Sequence, residues 1–291
     1  MTVIRADVGV LERIGRLWRY RELLGGLIRK ELKVKYKNSV LGFAWSLLNP
    51  LLVLVVYWFA FGVILGNTMP RFPIFLLCGV LVWNFFSGGV QSGTTSVVLN
   101  ASLVKKVSFP REVLPLASIG AAAVHFVLQG IVLGAALFVF GHGVAWSYMI
   151  LLPLAILVMV VVSAGLAVIL SAVNVHLRDM QHFLELLLIA WFWASPIVYP
   201  FEQAAQKLHH GWDKVLYFAN PLLGVVLTFQ RILYNQLDYV DKNGNKVPML
   251  PHWSIGSFAL MLGITLALSV AFFFAALFVF GKLEGSIAEE L

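Results

Sequence analysis

The chain has 291 residues, of which 60% are hydrophobic and 12% charged, with a net charge of +7. At about 20 residues per membrane span, its apolar stretches take up most of the length and leave no room for a separate soluble catalytic domain. A lone cysteine, Cys78, excludes an intramolecular disulfide framework and a cysteine metal cluster.

Four stretches carry no Asp, Glu, Lys or Arg: 38–70, 72–104, 113–177 and 247–281. A charge at the bilayer centre costs roughly 2.5–3.5 kcal/mol. A core helix of a soluble protein needs one wet face, which these stretches do not offer. The fold class is therefore an all-α integral membrane protein.

In chain order, residues 1–38 come first as a cytoplasmic amphipathic interface helix. Val10, Leu11, Ile14, Leu17, Trp18, Arg21, Leu24 and Ile28 recur at three- and four-residue steps, with Arg13, Arg16, Arg19 and Glu22 between them. Such a pattern suits the headgroup layer of an anionic leaflet. A six-span domain, 39–281, follows, with transmembrane helices at 40–65, 72–99, 113–140, 148–174, 181–199 and 253–281. The third and fourth are parted at Gly141-His142-Gly143, and the fifth is the least regular, with Glu185 near its start and Pro196 near its end.

Residues 200–252 are expected to form an external helical hairpin between spans five and six, two short helices packed at the outer surface as a gate. The second opens at Asn220-Pro221, a cap followed by proline at the first helical position. Residues 241–246 read as a polar turn, and 282–291 as a cytoplasmic tail.

Counting cations orients the chain. Ten Lys and Arg lie within residues 1–38, and the connections after spans two and four, with the tail, add five; the other side holds six. The positive-inside rule places both termini in the cytoplasm. The net positive charge thus reports topology rather than a nucleic-acid surface. The first apolar segment is too long for a signal-peptide core and stays as a span.

No phosphate-binding loop G-x-x-x-x-G-K-[ST] occurs, nor H-E-x-x-H, G-x-S-x-G or C-x-x-C. The seven histidines are scattered without metal-ligand spacing, so no metal site is expected. All 14 acidic residues lie near span ends or outside the spans. An ion-coupled transporter places ionisable groups near the midplane. Any transport energy is therefore expected from a partner.

The connection 100–112 is the most loaded short element. It combines Lys105-Lys106, an exposed-looking Phe109-Pro110 and Arg111-Glu112. Aromatic and arginine anchors beside a rigid proline suit a docking surface, and the bland alternative is a basic loop that only sets orientation. Arg178-Asp179 offers a second polar contact on the same side.

Several blocks then carry a resemblance. Lys33-Val34-Lys35-Tyr36-Lys37-Asn38-Ser39-Val40-Leu41-Gly42 with Trp45 and Asn49-Pro50, residues 100–115, Arg178-Asp179, Ser195-Pro196-Ile197-Val198-Tyr199-Pro200 and Asn220-Pro221 occur in this order. They resemble the signature blocks of bacterial type-2 ABC export permeases, nearest those exporting O-antigens, teichoic acids, capsules and galactan. The resemblance implies a homodimeric inner-membrane permease bound to two copies of a separately encoded ATPase. ATP and Mg would sit on that partner, with no cofactor and no catalytic residue in this chain. Residues 101–112 would hold the coupling helix, so Lys105, Lys106, Phe109, Pro110, Arg111, Glu112, Arg178 and Asp179 are the candidate coupling residues. The cargo would be a glycan on a polyprenyl diphosphate; membrane lipids are further partners and nucleic acid is not.

Sugars stack on aromatic rings, so the clusters in spans one and five are candidates for a glycan channel: Tyr57, Trp58, Trp191, Trp193 and Tyr199. Rings at span ends also serve as interfacial anchors. Two competing readings stand beside the exporter. One is a drug or lipid permease of the same superfamily. The other is an intramembrane enzyme acting on polyprenyl phosphates, for which only His176, Arg178, Asp179 and His182 approach a grouped set.

Overall fold

The computed structural model describes residues 10–35, 37, 44–45, 48, 51–52, 55–56, 58–64, 69–139, 141–208, 211–240 and 246–291. The first predicted span, 40–65, falls partly outside them, as does most of the polar turn 241–246.

Two helices, α1 (Val10–Arg19) and α2 (Arg21–Lys35), stand where one amphipathic helix is predicted, with a turn at Tyr20 between them. The turn lets α2 lay Leu23, Leu24, Leu27 and Ile28 against the body of the protein, with Leu27 buried. Trp18, counted with the apolar stripe in the sequence, instead points outward at 72% exposure, with the Arg21 guanidinium 5.8 Å from its ring centroid. An exposed Trp beside cations is how an interfacial helix meets a headgroup layer.

Next come α3 (Phe72–Leu99), the short α4 (Ala101–Lys106), α5 (Val113–Val139) and α6 (Leu152–His176), the last entered through a 3-10 turn at Trp146–Leu151. α7 (Met180–Trp193), α8 (Phe201–Lys207), α9 (Gly211–Phe218) and α10 (Pro221–Phe229) follow, α10 running on as a π-helical turn, Gln230–Tyr234. A small antiparallel ribbon pairs β1 (Asp238–Val240) with β2 (Lys246–Pro248), Tyr239 opposite Val247. The chain closes with α11 (Ile255–Glu290), a single helix of 36 residues.

Among the described residues, the segments Phe72–Leu99, Val113–Phe138, Trp146–His176 and Ile255–Ile287 are long and apolar enough to cross a membrane, against six predicted spans. The pair α9 and α10, extended to Tyr234 and bent by 67°, makes a fifth if counted as one broken span. The predicted fifth span, 181–199, is instead the 14-residue α7. At 1.5 Å per residue α7 reaches about 21 Å, short of the ~30 Å hydrocarbon core. It stops because Pro196 cannot continue the helical ladder.

α3 and α6 form the centre, with α5 and α11 outside them. In the most apolar window of each helix, 72% of α3 and 56% of α6 is buried, against 17% of α5 and 22% of α11. Close approach of α3 to α6 depends on small residues: a Cβ at Gly93 would lie 2.5 Å from that of Ala167. The hairpin helices differ from the surface pair expected. α9 is largely exposed, but every residue from Leu222 to Phe229 is buried against α3 and α6. That run is apolar on most faces, as a helix kept away from water must be.

Candidate coupling site

At the cytoplasmic end predicted for the bundle, α3 runs into the turn that holds α4 and re-enters the bundle as α5. Asn100 fixes the start of this turn: its Nδ2 donates to the Ser96 carbonyl at 2.8 Å, and its Oδ1 accepts from Lys30 Nζ of α2 at 2.7 Å. Lys105, Lys106, Val107 and Ser108 are exposed, Val107 to 50%. Phe109 is not. At 2% exposure it sits in an apolar cluster with Val104, Leu114, Val175 and Phe280, which corrects the reading of an exposed Phe-Pro. Pro110 is half-buried beside it.

Arg111 and Glu112 also turn inward, and not toward each other. Glu112, 1% exposed, accepts a hydrogen bond from Arg13 Nη1 of α1, ninety-nine positions away. The same Nη1 donates to Glu284 Oε2 of α11 at 3.1 Å. Arg111 Nη1 donates to the Glu284 carbonyl at 2.7 Å, and His176 Nε2 lies 2.8 Å from Ser286 Oγ. Three elements far apart in sequence therefore meet at one buried ionic cluster: α1, the turn before α5, and the foot of α11. Gly281 leaves the space for it, since a Cβ there would come within 2.5 Å of Arg13 Nη2.

The cluster holds two carboxylates for one side-chain guanidinium. Burial works against the charge on Arg13, but Glu112 and Glu284 outweigh it and raise the pKa of Arg13 above the ordinary value. Burial raises the Glu112 carboxyl, and repulsion from Glu284 raises it further; Arg13 does not fully offset the two. Glu112 Oε2 finds no hydrogen-bond partner among the described residues. Removing one partner of a buried ion pair costs about 3–5 kcal/mol, because the other charge is left uncompensated.

Arg178 and Asp179 are exposed in the turn between α6 and α7, where the Asp179 carbonyl accepts from the Phe183 amide at 3.0 Å. The structure does not join them to the Arg13 cluster. Among the described residues no group of His, Cys, Asp and Glu could hold a metal ion.

The predicted channel aromatics part company. Tyr57 and the Trp58 side chain lie outside the described residues. Trp191 is half-buried, 5.0 Å edge-on to Phe86, and donates from Nε1 to Asn220 Oδ1 at 2.9 Å. Trp193, two residues on and so on another face of the helix, is 52% exposed. Tyr199 is half-buried with its hydroxyl on the Trp193 carbonyl at 2.9 Å.

Asn220 is the hub of this outer region. Its Oδ1 also caps α10 through the Leu222 amide at 3.0 Å, and its Nδ2 donates to Ser195 Oγ at 2.9 Å. Gln230 Nε2 reaches the Pro196 carbonyl at 2.8 Å. The break after α7 is thus stapled to the start of α10 by neutral amide and hydroxyl groups.

Sequence reasoning missed the roles of Arg13 and Glu284, because Arg13 read only as a polar position of the amphipathic helix and Glu284 belongs to no local pattern. It also missed a face of α3 that places Asn84, Ser87, Gln91, Ser92 and Thr95 at helical spacing, since counting charges passes over amides and hydroxyls.

Comparison with known proteins supports this architecture. Residues 22–236 match the ABC-2 type transporter family. The O-antigen export system permease protein RfbA of Myxococcus xanthus is 34% identical over 228 residues, covering 77% of this chain and 85% of that protein. RfbA of Klebsiella pneumoniae is 31% identical over 214 residues, covering 74% and 81%. The polysialic acid transport protein KpsM of Escherichia coli is 27% identical over 206 residues, covering 69% and 76%. With a bundle of long apolar helices matched over most of its length to this family, the chain is a multi-pass membrane protein that belongs to the ABC-2 type transporters.

Proposed function

We propose that the chain is the membrane subunit of an ATP-driven exporter that moves a polyprenyl-diphosphate-linked polysaccharide from the cytoplasm across the bacterial inner membrane. Two copies would pair with two copies of a separate ATPase, which carries ATP and Mg. In this reading the chain crosses the membrane six times with both termini in the cytoplasm. The names of its relatives support a polysaccharide cargo.

The observation that carries the coupling assignment is the pairing of an exposed turn, Lys105–Ser108, with the buried ionic cluster directly behind it. A docking element has to present side chains to its partner and still be rigidly fixed to the helices it moves. Lys105, Lys106 and Val107 present; Phe109, Arg111 and Glu112 fix. Arg178 and Asp179 form a second exposed contact on the same side.

Two measurements test this. The purified chain alone should hydrolyse no ATP, and ATP hydrolysis by it would refute the division of labour. Reversing both Lys105 and Lys106 to Glu should abolish surface glycan while the chain inserts and folds normally, because exposed substitutions shift stability by about 0.5 kcal/mol or less. Normal export by that variant would remove the turn from the coupling path.

One observation favours a second reading. A cavity of about 700 Å³ between α6, α9, α10 and α11 is walled by apolar side chains such as Leu166, Leu260, Ile264 and Leu268. It suits a lipid or drug cargo. Loss of a lipid or drug efflux activity, with surface glycan unchanged, in cells lacking the chain would establish that reading instead.

A further inference from the structure

A second cavity of about 790 Å³ matches the apolar one in size but is far more polar. It lies between α3 and α5 and opens at α2. From α3 come Asn84, Ser87, Gln91, Ser92 and Thr95, at steps of three, four, one and three residues that keep them on one face. From α5 come Ser118, His125 and Gln129. Asn84 Nδ2 donates to Gln129 Oε1 at 3.2 Å across the groove. At the mouth, Lys30 holds Asn100 at 2.7 Å and Ser118 Oγ donates to Glu31 at 2.8 Å. From Asn84 to Thr95 the helix rises about 17 Å, more than half of a ~30 Å hydrocarbon core.

Polar side chains within membrane-spanning helices are costly toward lipid and mark pathways. Here, beside the imidazole of His125, they are amides and hydroxyls, which both donate and accept hydrogen bonds. We propose that this groove between α3 and α5 binds the hydroxyl-rich glycan chain of the cargo, an inference that rests on the reading of the chain as a polysaccharide export permease. Each amide–hydroxyl bond contributes a net of about 0.5–1.5 kcal/mol, weak enough to be exchanged as successive sugars pass. The rest of the wall is apolar, with Phe85, Leu114 and Phe126 set between the polar groups. The groove is also continuous with the exposed cationic face of α2, Arg29, Lys30 and Lys33, where an anionic diphosphate would meet the protein.

The glycine at the floor of the groove supplies the test. Among the described residues a Cβ at Gly88 meets nothing within 4 Å, whereas at Gly89 it would lie 3.0 Å from Ile119 Cδ1 and 3.3 Å from Ala122 Cβ. Gly88→Trp therefore enters the groove without a clash at its Cβ. Gly263→Trp on α11, equally free of neighbours within 4 Å, is the control. In glycan-producing cells, at equal membrane levels of the two variants, surface glycan should be lost with Gly88→Trp and retained with Gly263→Trp. A photocrosslinking residue in place of Ser92, irradiated in the same cells, should give a sugar-bearing adduct of the chain. Full export by Gly88→Trp overturns the proposal. So does an adduct at Ser92 formed only with a second copy of the chain, which would make this face a subunit contact. Surface glycan that persists when the chain is deleted defeats the cargo reading itself, and that result is separate from the behaviour of Gly88→Trp.

Discussion

The two ends of the bundle fasten distant segments by opposite chemistry. At the end where α1 lies, Arg13 ties α1 to Glu112 before α5 and to Glu284 at the foot of α11. At the other end, Asn220 and Gln230 tie the break at Ser195-Pro196 to α10 without any charge. The difference follows from the surroundings. Charges are tolerated where water and headgroups lie close, whereas a helix break deep among apolar side chains has to be satisfied by neutral groups, since each open backbone group there costs several kcal/mol. Ionic fastening is strong while complete and costly when halved; neutral fastening loses one bond at a time.

The largest expected effect comes from halving the ionic end. Arg13→Ala leaves two buried carboxylates without a counter-charge and should cost about 3–5 kcal/mol, read as lower thermal stability of the detergent-solubilised protein and loss of export. The triple variant Arg13→Met, Glu112→Leu, Glu284→Leu removes the charges together and should be closer to wild type in stability than Arg13→Ala alone. If the single change is the milder one, the cluster does not act as a closed ionic unit.

At the neutral end, Asn220→Ala uncaps α10 and strands the Trp191 N–H and the Leu222 amide. A cost of about 1–3 kcal/mol is expected, read as lower thermal stability of the detergent-solubilised protein. Unchanged stability would show that Asn220 does not fasten this end.

The smallest effect is a pH dependence confined to the ionic end. The Glu112 carboxyl is raised by burial and by Glu284, so folding favours its protonated form. That contribution is fully present below the ordinary carboxylate value of about 4.3 and is lost as pH rises through the higher folded value. Stability of the wild type should therefore decline from that acid range upward, and Glu112→Gln should flatten the decline. Asn220→Ala should leave it unchanged. A wild-type profile that instead rises over this window would contradict the assignment.

What the sequence made legible were features with a local cause. The charge-free stretches 72–104, 113–177 and 247–281 became long apolar helices; Asn220-Pro221 became a capped helix start with proline at its first position, as the residue pair implies; Pro196 ended a helix. What stayed hidden had no local cause. Arg13 lies ninety-nine positions from Glu112 and 271 from Glu284, and no periodicity joins them. Phe109-Pro110 read as exposed because it sits in a polar turn, yet the ring fills space between α3, α6 and α11 that only packing reveals. The polar face of α3 stood in the sequence at helical spacing all along. It was overlooked because insertion energetics is dominated by full charges, and amides and hydroxyls barely register in such a count.

The last helix has a mechanical consequence. At 36 residues α11 is about 54 Å long, well beyond the hydrocarbon thickness. Its foot carries Glu284, while near its other end Trp253 meets Phe201 and Phe218 of the hairpin at 5.5 and 6.5 Å. A continuous hydrogen-bonded rod does not absorb a push by buckling. Pivoted at its foot, it turns a tilt of about 5° into a sweep of about 5 Å at the far tip. Displacement of the Lys105–Ser108 turn, passed through Arg111 and Arg13 to the foot of this lever, would thus arrive magnified at the hairpin on the opposite face.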